Sequence, residues 1–155
     1  FDECRWIWDN LNNINGSCLD FTCVRDSSED FWVNHLENNF DIRSYDAILS
    51  LPEYDSHFEH RKVNNISKAL LRGVDVGLIT YRTPSTLEQW IPNYYTELQD
   101  EVMETKIDIL REGFNSQKDK LYFQRQRIKD FHINYQCSKV GVSYVEQFKI
   151  ERLFG

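Results

Sequence analysis

The side chains best suited to chemistry in this chain gather in one short stretch, His57-Phe58-Glu59-His60, with Asp55 just upstream. On a helix, imidazoles three residues apart share a face, so these two could share a metal ion. The plainer reading, two solvated histidines at a helix start, is preferred, because His35 and His132 lie far off in sequence. Carboxylates are plentiful around Asp100, Glu101 and Glu104, but the charged face of an amphipathic helix accounts for them, and no pair is singled out for acid–base work. Arg125-Gln126-Arg127-Ile128-Lys129 reads as a solvated helix face in preference to a docking patch. A Gly-rich phosphate loop, a Gly-x-Ser-x-Gly elbow and a His-Glu-x-x-His motif are all absent from the sequence. The expectation is a protein that is not an enzyme, with no metal and no cofactor.

Composition narrows the class. The 155 residues suit a single domain, 1–155, and the balance of 18 basic against 25 acidic residues leaves a net charge of −7. A net acidic chain lacks the basic stripe that a nucleic-acid backbone or an anionic membrane would attract. Nine glycines and prolines together, 6 and 3, are few for the turns of a β-sandwich of this length, which favours helices. No stretch reaches the roughly 18 uninterrupted apolar residues of a membrane-spanning helix.

Four cysteines, Cys4, Cys18, Cys23 and Cys137, form an even set, and two Asn-x-Ser sequons stand at Asn15 and Asn65. With a chain that begins at Phe1 without methionine, they favour a mature secreted protein with glycans at Asn15 and Asn65. The spacing between Cys18 and Cys23 is not that of a C-x₂-C metal motif, and four cysteines allow three disulfide connectivities. Trp6 and Trp8 flank Ile7 and cannot both face a core, a mild hint of a contact surface beside the more ordinary partly covered core indole.

The elements that must position these groups read as helices. Cys4, Ile7, Leu11 and Ile14 mark a first helix over 2–15, and residues 17–26 follow as an extended connection. Ser27 and Ser28 before Glu29 and Asp30 predict a second helix that buries Phe31 or Trp32, with Leu36 and Phe40, and 41–56 reads as loop. Val63, Ile66, Leu70, Val74, Leu78 and Tyr81 keep a helical repeat that Thr83-Pro84 stops. Ser85-Thr86-Leu87-Glu88 reads as a capping box that opens a helix to Leu110, closed by Gly113. A helix over 117–135 and a last one carrying Val142, Val145, Phe148 or Lys149, and Leu153 complete an all-α bundle with a long connection after its first helix.

Phe21-Thr22-Cys23-Val24-Arg25-Asp26 resembles the segment after the first helix of type I interferons, and Tyr122-Phe123-Gln124-Arg125, Ile128-Lys129-Asp130-Phe131 and Tyr135-Gln136-Cys137-Ser138 resemble their penultimate helix and the cysteine after it. Phe114-Asn115-Ser116-Gln117-Lys118 is similar to type II interferon, and the cysteine order is similar to erythropoietin-like cytokines. The interferon resemblance implies a Cys23–Cys137 disulfide, which leaves Cys4–Cys18; the erythropoietin comparison implies Cys4–Cys137 with Cys18–Cys23. The interferon resemblance further implies a secreted helical cytokine of antiviral defence that binds cell-surface receptor chains and signals by bringing them together. Val24, Arg25 and Asp26, beside Lys149 and Arg152 of the last helix, would then form the receptor-binding surface. The alternative is a secreted helical carrier of a small apolar ligand, of the odorant-binding or salivary kind.

Overall fold

The computed structural model describes residues 24–153. They divide into two compact units, one of residues 24–95 with 146–153 and the other of residues 96–145. The boundaries fall inside strands β3 (Tyr94–Leu98) and β4 (Tyr144–Arg152). The four strands form one mixed sheet in the order β1-β2-β4-β3, which overturns the all-α bundle.

In the first unit a 3₁₀ turn, Val24–Asp26, leads into helix α1, Glu29–Asn39. The Ser28 hydroxyl accepts a hydrogen bond from Phe31 N–H at 3.1 Å, and Glu29 and Asp30 favour the positive end of the helix dipole, as the sequence predicts. Trp32 is the buried aromatic of this helix, while Phe31 is exposed.

Strand β1 (Ala47–Ser50) and strand β2 (Gly77–Tyr81) are parallel, with Ala47 opposite Gly77 and Ser50 opposite Thr80. Helix α2 (Phe58–Leu70) crosses between them, the connection that adjacent parallel strands require. The predicted repeat from Val63 to Tyr81 thus holds only as far as Leu70. Beyond it the chain turns through Gly73, whose φ of +71° lies in the left-handed region open to glycine, and re-enters the sheet.

Helix α2 buries Asn64, Ile66, Ser67 and Leu70. Its polar members grip the end of β1: Ser67 Oγ lies 2.7 Å from Ser50 Oγ, and Asn64 Nδ2 donates to the Leu51 carbonyl at 2.7 Å. Below them Leu71, Val76 and Leu78 pack with Ile42, Ile48 and Val74. Each such fully buried aliphatic side chain stabilises the fold by about 1.5–3 kcal/mol relative to exposure.

Strand β4 runs antiparallel to β2, with Ile79 opposite Ile150 and an irregularity between Leu78 and Ile79. It replaces the predicted last helix. Arg152 at its end donates to the carbonyls of Leu71, Val74 and Val76 at 3.1, 2.7 and 2.9 Å, and so ties down the turn after α2.

The other unit holds helices α3 (Asp100–Gly113), α4 (Arg125–His132) and α5 (Tyr135–Val140). Its core is Leu98, Met103, Ile107 and Ile128, with Leu110 and Tyr144 against it. Helix α3 ends at Gly113, as predicted, but starts only at Asp100; the Ser85–Glu88 segment caps no helix. The predicted helix over 117–135 contracts to α4, preceded by a 3₁₀ turn at Leu121–Phe123.

Cys137 in α5 is a buried free thiol, with Sγ 3.8 Å from the His132 carbonyl and 3.5 Å from Asn134 N. That overturns a disulfide to Cys137 from either Cys23 or Cys4. Cys4, Cys18, Cys23, Asn15, Trp6, Trp8 and the predicted first helix lie outside the described residues.

Candidate functional site

The loops that leave the carboxyl ends of the parallel strands β1 and β2 meet in the first unit. Asp55 pairs with Thr86 as an isolated bridge, Leu87 N–H donates to the Tyr54 carbonyl at 2.9 Å, and Ser56 N–H donates to the Ser85 carbonyl at 2.9 Å. The carboxyl ends of parallel strands are where open α/β sheets bind ligands, because the loops there diverge and leave a crevice.

Asp55 is at the centre of this junction and is fully buried. One carboxylate oxygen, Oδ1, accepts from His57 N–H at 2.8 Å. The other, Oδ2, accepts from the Thr83 hydroxyl at 2.7 Å and faces His60 Nδ1 at 3.0 Å. The Asp55 carbonyl takes a guanidinium N–H of Arg61 at 2.5 Å. Burial alone would raise the Asp55 pKa, but hydrogen bonds from Ser85, Thr83, the His57 backbone and His60 favour the ionised form and hold it below the ordinary 3.8.

An acceptor-only carboxylate on Nδ1 places the imidazole proton of neutral His60 there and leaves the lone pair on Nε2. The His60 side chain keeps 28% of its surface exposed, so the imidazole is open to solvent while its carboxylate partner is not. Ser85 Oγ lies 3.2 Å from the same Nδ1 atom. A serine activated by this dyad would need the opposite nitrogen, so the three groups are not a nucleophilic triad.

His57 stacks on His60, with ring centroids 4.7 Å apart and planes 28° apart, and its Nδ1 lies 3.8 Å from Glu59 Oε2. Among the described residues no group of three His, Cys, Asp or Glu side chains is arranged to hold a metal ion. Two stacked imidazoles supply fewer donors than the three or four protein ligands of a zinc centre. The described residues by themselves therefore do not fit a metal ion.

Beside the junction lies a half-open cavity of about 260 Å³ lined by Arg82, Thr86, Leu87, Glu88, Trp90, Pro92 and Gln147. Trp90 is buried and donates its indole N–H to Thr80 Oγ1 at 3.0 Å.

The stretch His57–His60 with Asp55 stands out in the sequence; Thr83, Ser85 and Thr86 do not, because Thr83-Pro84-Ser85-Thr86 reads as helix punctuation. The signal available was a hydroxyl-rich loop after the short β-branched run Gly77–Tyr81.

The residues proposed from the cytokine resemblance are placed otherwise. Arg25 pairs with Glu59 at 2.7 Å and its guanidinium lies 5.4 Å from the centre of the Phe58 ring. Val24 and Asp26 share its 3₁₀ turn. Lys149 pairs with Glu151 at 2.8 Å on a strand, not a helix, and Arg152 is engaged with backbone carbonyls. Asn65 is on the exposed side of α2 and donates to Glu29 Oε1 at 3.1 Å.

Fold and site together define a mixed α/β protein with a polar centre at the mouth of a parallel strand pair. Two solved structures share this architecture. The conserved protein TT1542 from Thermus thermophilus matches at a TM-score of 0.58 with 14% identity over 82% of this chain and 59% of that one. The zinc-inhibited form of teicoplanin deacetylase Orf2 matches at 0.55 with 12% identity over 90% of this chain and 57% of that one. The chain thus spans less than two thirds of the length of either. No family model matches the sequence, and no curated protein does.

These likenesses overturn the interferon and cytokine resemblance, and with it the cell-surface receptor as partner. They equally overturn the helical carrier. No helix among the described residues is long and apolar enough to cross a membrane.

Proposed function

We propose that this chain carries a hydrolytic site that removes an acyl group from an amine, with His60 as its acid–base group and Asp55 as the carboxylate that orients it. The observation that carries this reading is the Asp55–His60 hydrogen bond at the carboxyl ends of β1 and β2. A buried carboxylate with most of its lone pairs occupied is fixed in place, and it stabilises the imidazolium that forms when Nε2 takes a proton. An imidazole with one nitrogen held by a carboxylate and its ring partly exposed is suited to taking a proton from water and returning it to a leaving amine. The deacetylase name of one structural neighbour supports removal of an acetyl group as the class of reaction.

The test is release of acetate from a panel of N-acetylated amines. His60→Gln keeps hydrogen-bonding capacity and lacks the titratable ring; the loss expected from removing a general base is about 100-fold or more, with little change in melting temperature. Acetate release at the wild-type rate by His60→Gln would overturn the reading, as would no release from any member of the panel by the wild-type chain.

A further inference from the structure

Thr83 stands at a node of this network. It follows β2 by two positions and is 7% exposed. Its Oγ1 is 2.7 Å from Asp55 Oδ2, 3.1 Å from Ser85 Oγ and 3.0 Å from Thr86 Oγ1. A hydroxyl has one proton to give, and an ionised carboxylate can only accept. Thr83 therefore donates to Asp55, and towards the Thr86 hydroxyl it must accept.

Thr86 is steered in the same sense. The Thr83 backbone N–H donates to Thr86 Oγ1 at 2.8 Å, and Thr86 N–H donates back to the Thr83 carbonyl at 3.1 Å. With a lone pair of Thr86 Oγ1 so occupied, its own proton is available to Thr83 Oγ1. The result is a one-way chain from Thr86 through Thr83 to Asp55 Oδ2, the oxygen that also faces His60. Donors aligned in series polarise one another, so the last bond to the carboxylate is strengthened by those before it.

We propose that Thr83 is a positioning residue for the acid–base pair: its hydroxyl, steered by Thr86, pins Asp55 Oδ2 against His60 Nδ1. The inference rests on the acid–base reading of His60 for its relevance to catalysis, but its geometry belongs to Asp55. The other charged or titratable groups at the pair are His57, stacked on His60; Glu59, which faces His57 and carries Arg25; and Arg61, which holds the Asp55 carbonyl. None of them occupies Oδ2 in the place of the Thr83 hydroxyl.

The experiment is a titration of the Asp55 carboxyl, followed by carbon NMR in the wild type and in Thr83→Val and Thr83→Ser. Valine keeps the shape and deletes the hydroxyl; the loss of one donor to the ionised form moves the Asp55 midpoint upward by about one pH unit, and serine restores it. In parallel, the acid limb of acetate release moves upward in Thr83→Val and returns in Thr83→Ser. An unchanged Asp55 midpoint in Thr83→Val overturns the proposal. Where the valine variant does not fold, the wild type decides: a slowly exchanging Thr83 hydroxyl proton that is lost as Asp55 protonates supports the proposal, and a freely exchanging one overturns it. Failure of the hydrolytic reading shows instead as absent acetate release with the Asp55 titration still sensitive to Thr83.

Discussion

Two regions of this chain concentrate charged side chains, and they are built on opposite principles. Between α3 and α4, Arg125 pairs with Glu104 and with Asp108, and Lys129 pairs with the same Glu104. The Arg125, Glu104 and Asp108 side chains keep 48%, 42% and 56% of their surface exposed, so water and salt screen each pair. At the ends of β1 and β2 a single carboxylate, Asp55, is fully buried and surrounded by donors. In the first region the charges are solvated; in the second the buried charge has more consequence, because hydrogen bonds in a sheltered site replace water that is no longer there. A dense run of charges in the sequence is therefore a poor guide to a site, and one aspartate between two strand ends is a better one.

Substitution at the two regions should separate them sharply. The largest effect on stability is expected at Asp55→Asn. The variant keeps the volume but exchanges an acceptor oxygen for a donor amide, so that at least one of the His57, Thr83 and His60 donors loses its partner. A cost of about 1–3 kcal/mol is expected, measured by denaturant unfolding, and a cost indistinguishable from that of a surface substitution would erase the contrast.

Acid should act on the same region with a definite sign. The Asp55 pKa is lowered in the fold, so its contribution is complete above the unfolded value of 3.8 and is lost as pH falls from there through the folded value. The stability advantage of the wild type over Asp55→Asn should therefore narrow on acidification below about pH 4. A gap that stays constant down to full protonation would show that Asp55 contributes through packing and not through its charge.

The smallest effect belongs to the α3–α4 surface. Glu104→Gln removes one partner from both Arg125 and Lys129, yet a loss of only about 0–1 kcal/mol is expected, and raising the salt concentration should shrink it further. A loss as large as that of Asp55→Asn, insensitive to salt, would mean that the two regions do not differ in kind.

Local signals were legible wherever one short segment decides its own structure. Ser28 caps α1 because its hydroxyl reaches a backbone N–H three residues on, and that requires nothing from the rest of the chain. The stop at Gly113 and the position of His57–His60 at a helix start are of the same kind. The strands were not legible in this way. Leu70, Val74 and Leu78 keep a spacing of four and so extend the stripe of α2, yet Gly73 breaks the helix and Gly77–Tyr81 enters the sheet. Around β4, the spacing of Val142, Val145, Phe148 and Leu153 also suits a helix, although Tyr144–Arg152 pairs with β2 residues some seventy positions away. Only that partner distinguishes the two periods in so short a run.

The candidate site divides along the same line. The sequence by itself determined the Ser28 cap, the glycine that closes α3 and the grouping of Asp55 with His57 and His60, since neighbours in sequence are neighbours in space within a turn. Tertiary structure alone decided that Thr83 and Ser85, more than twenty residues on, complete the shell around Asp55. The physical reason is the parallel pairing of β1 and β2: it aligns the carboxyl ends of two strands that α2 separates in sequence, and buries between their loops a carboxylate whose partners must come from both.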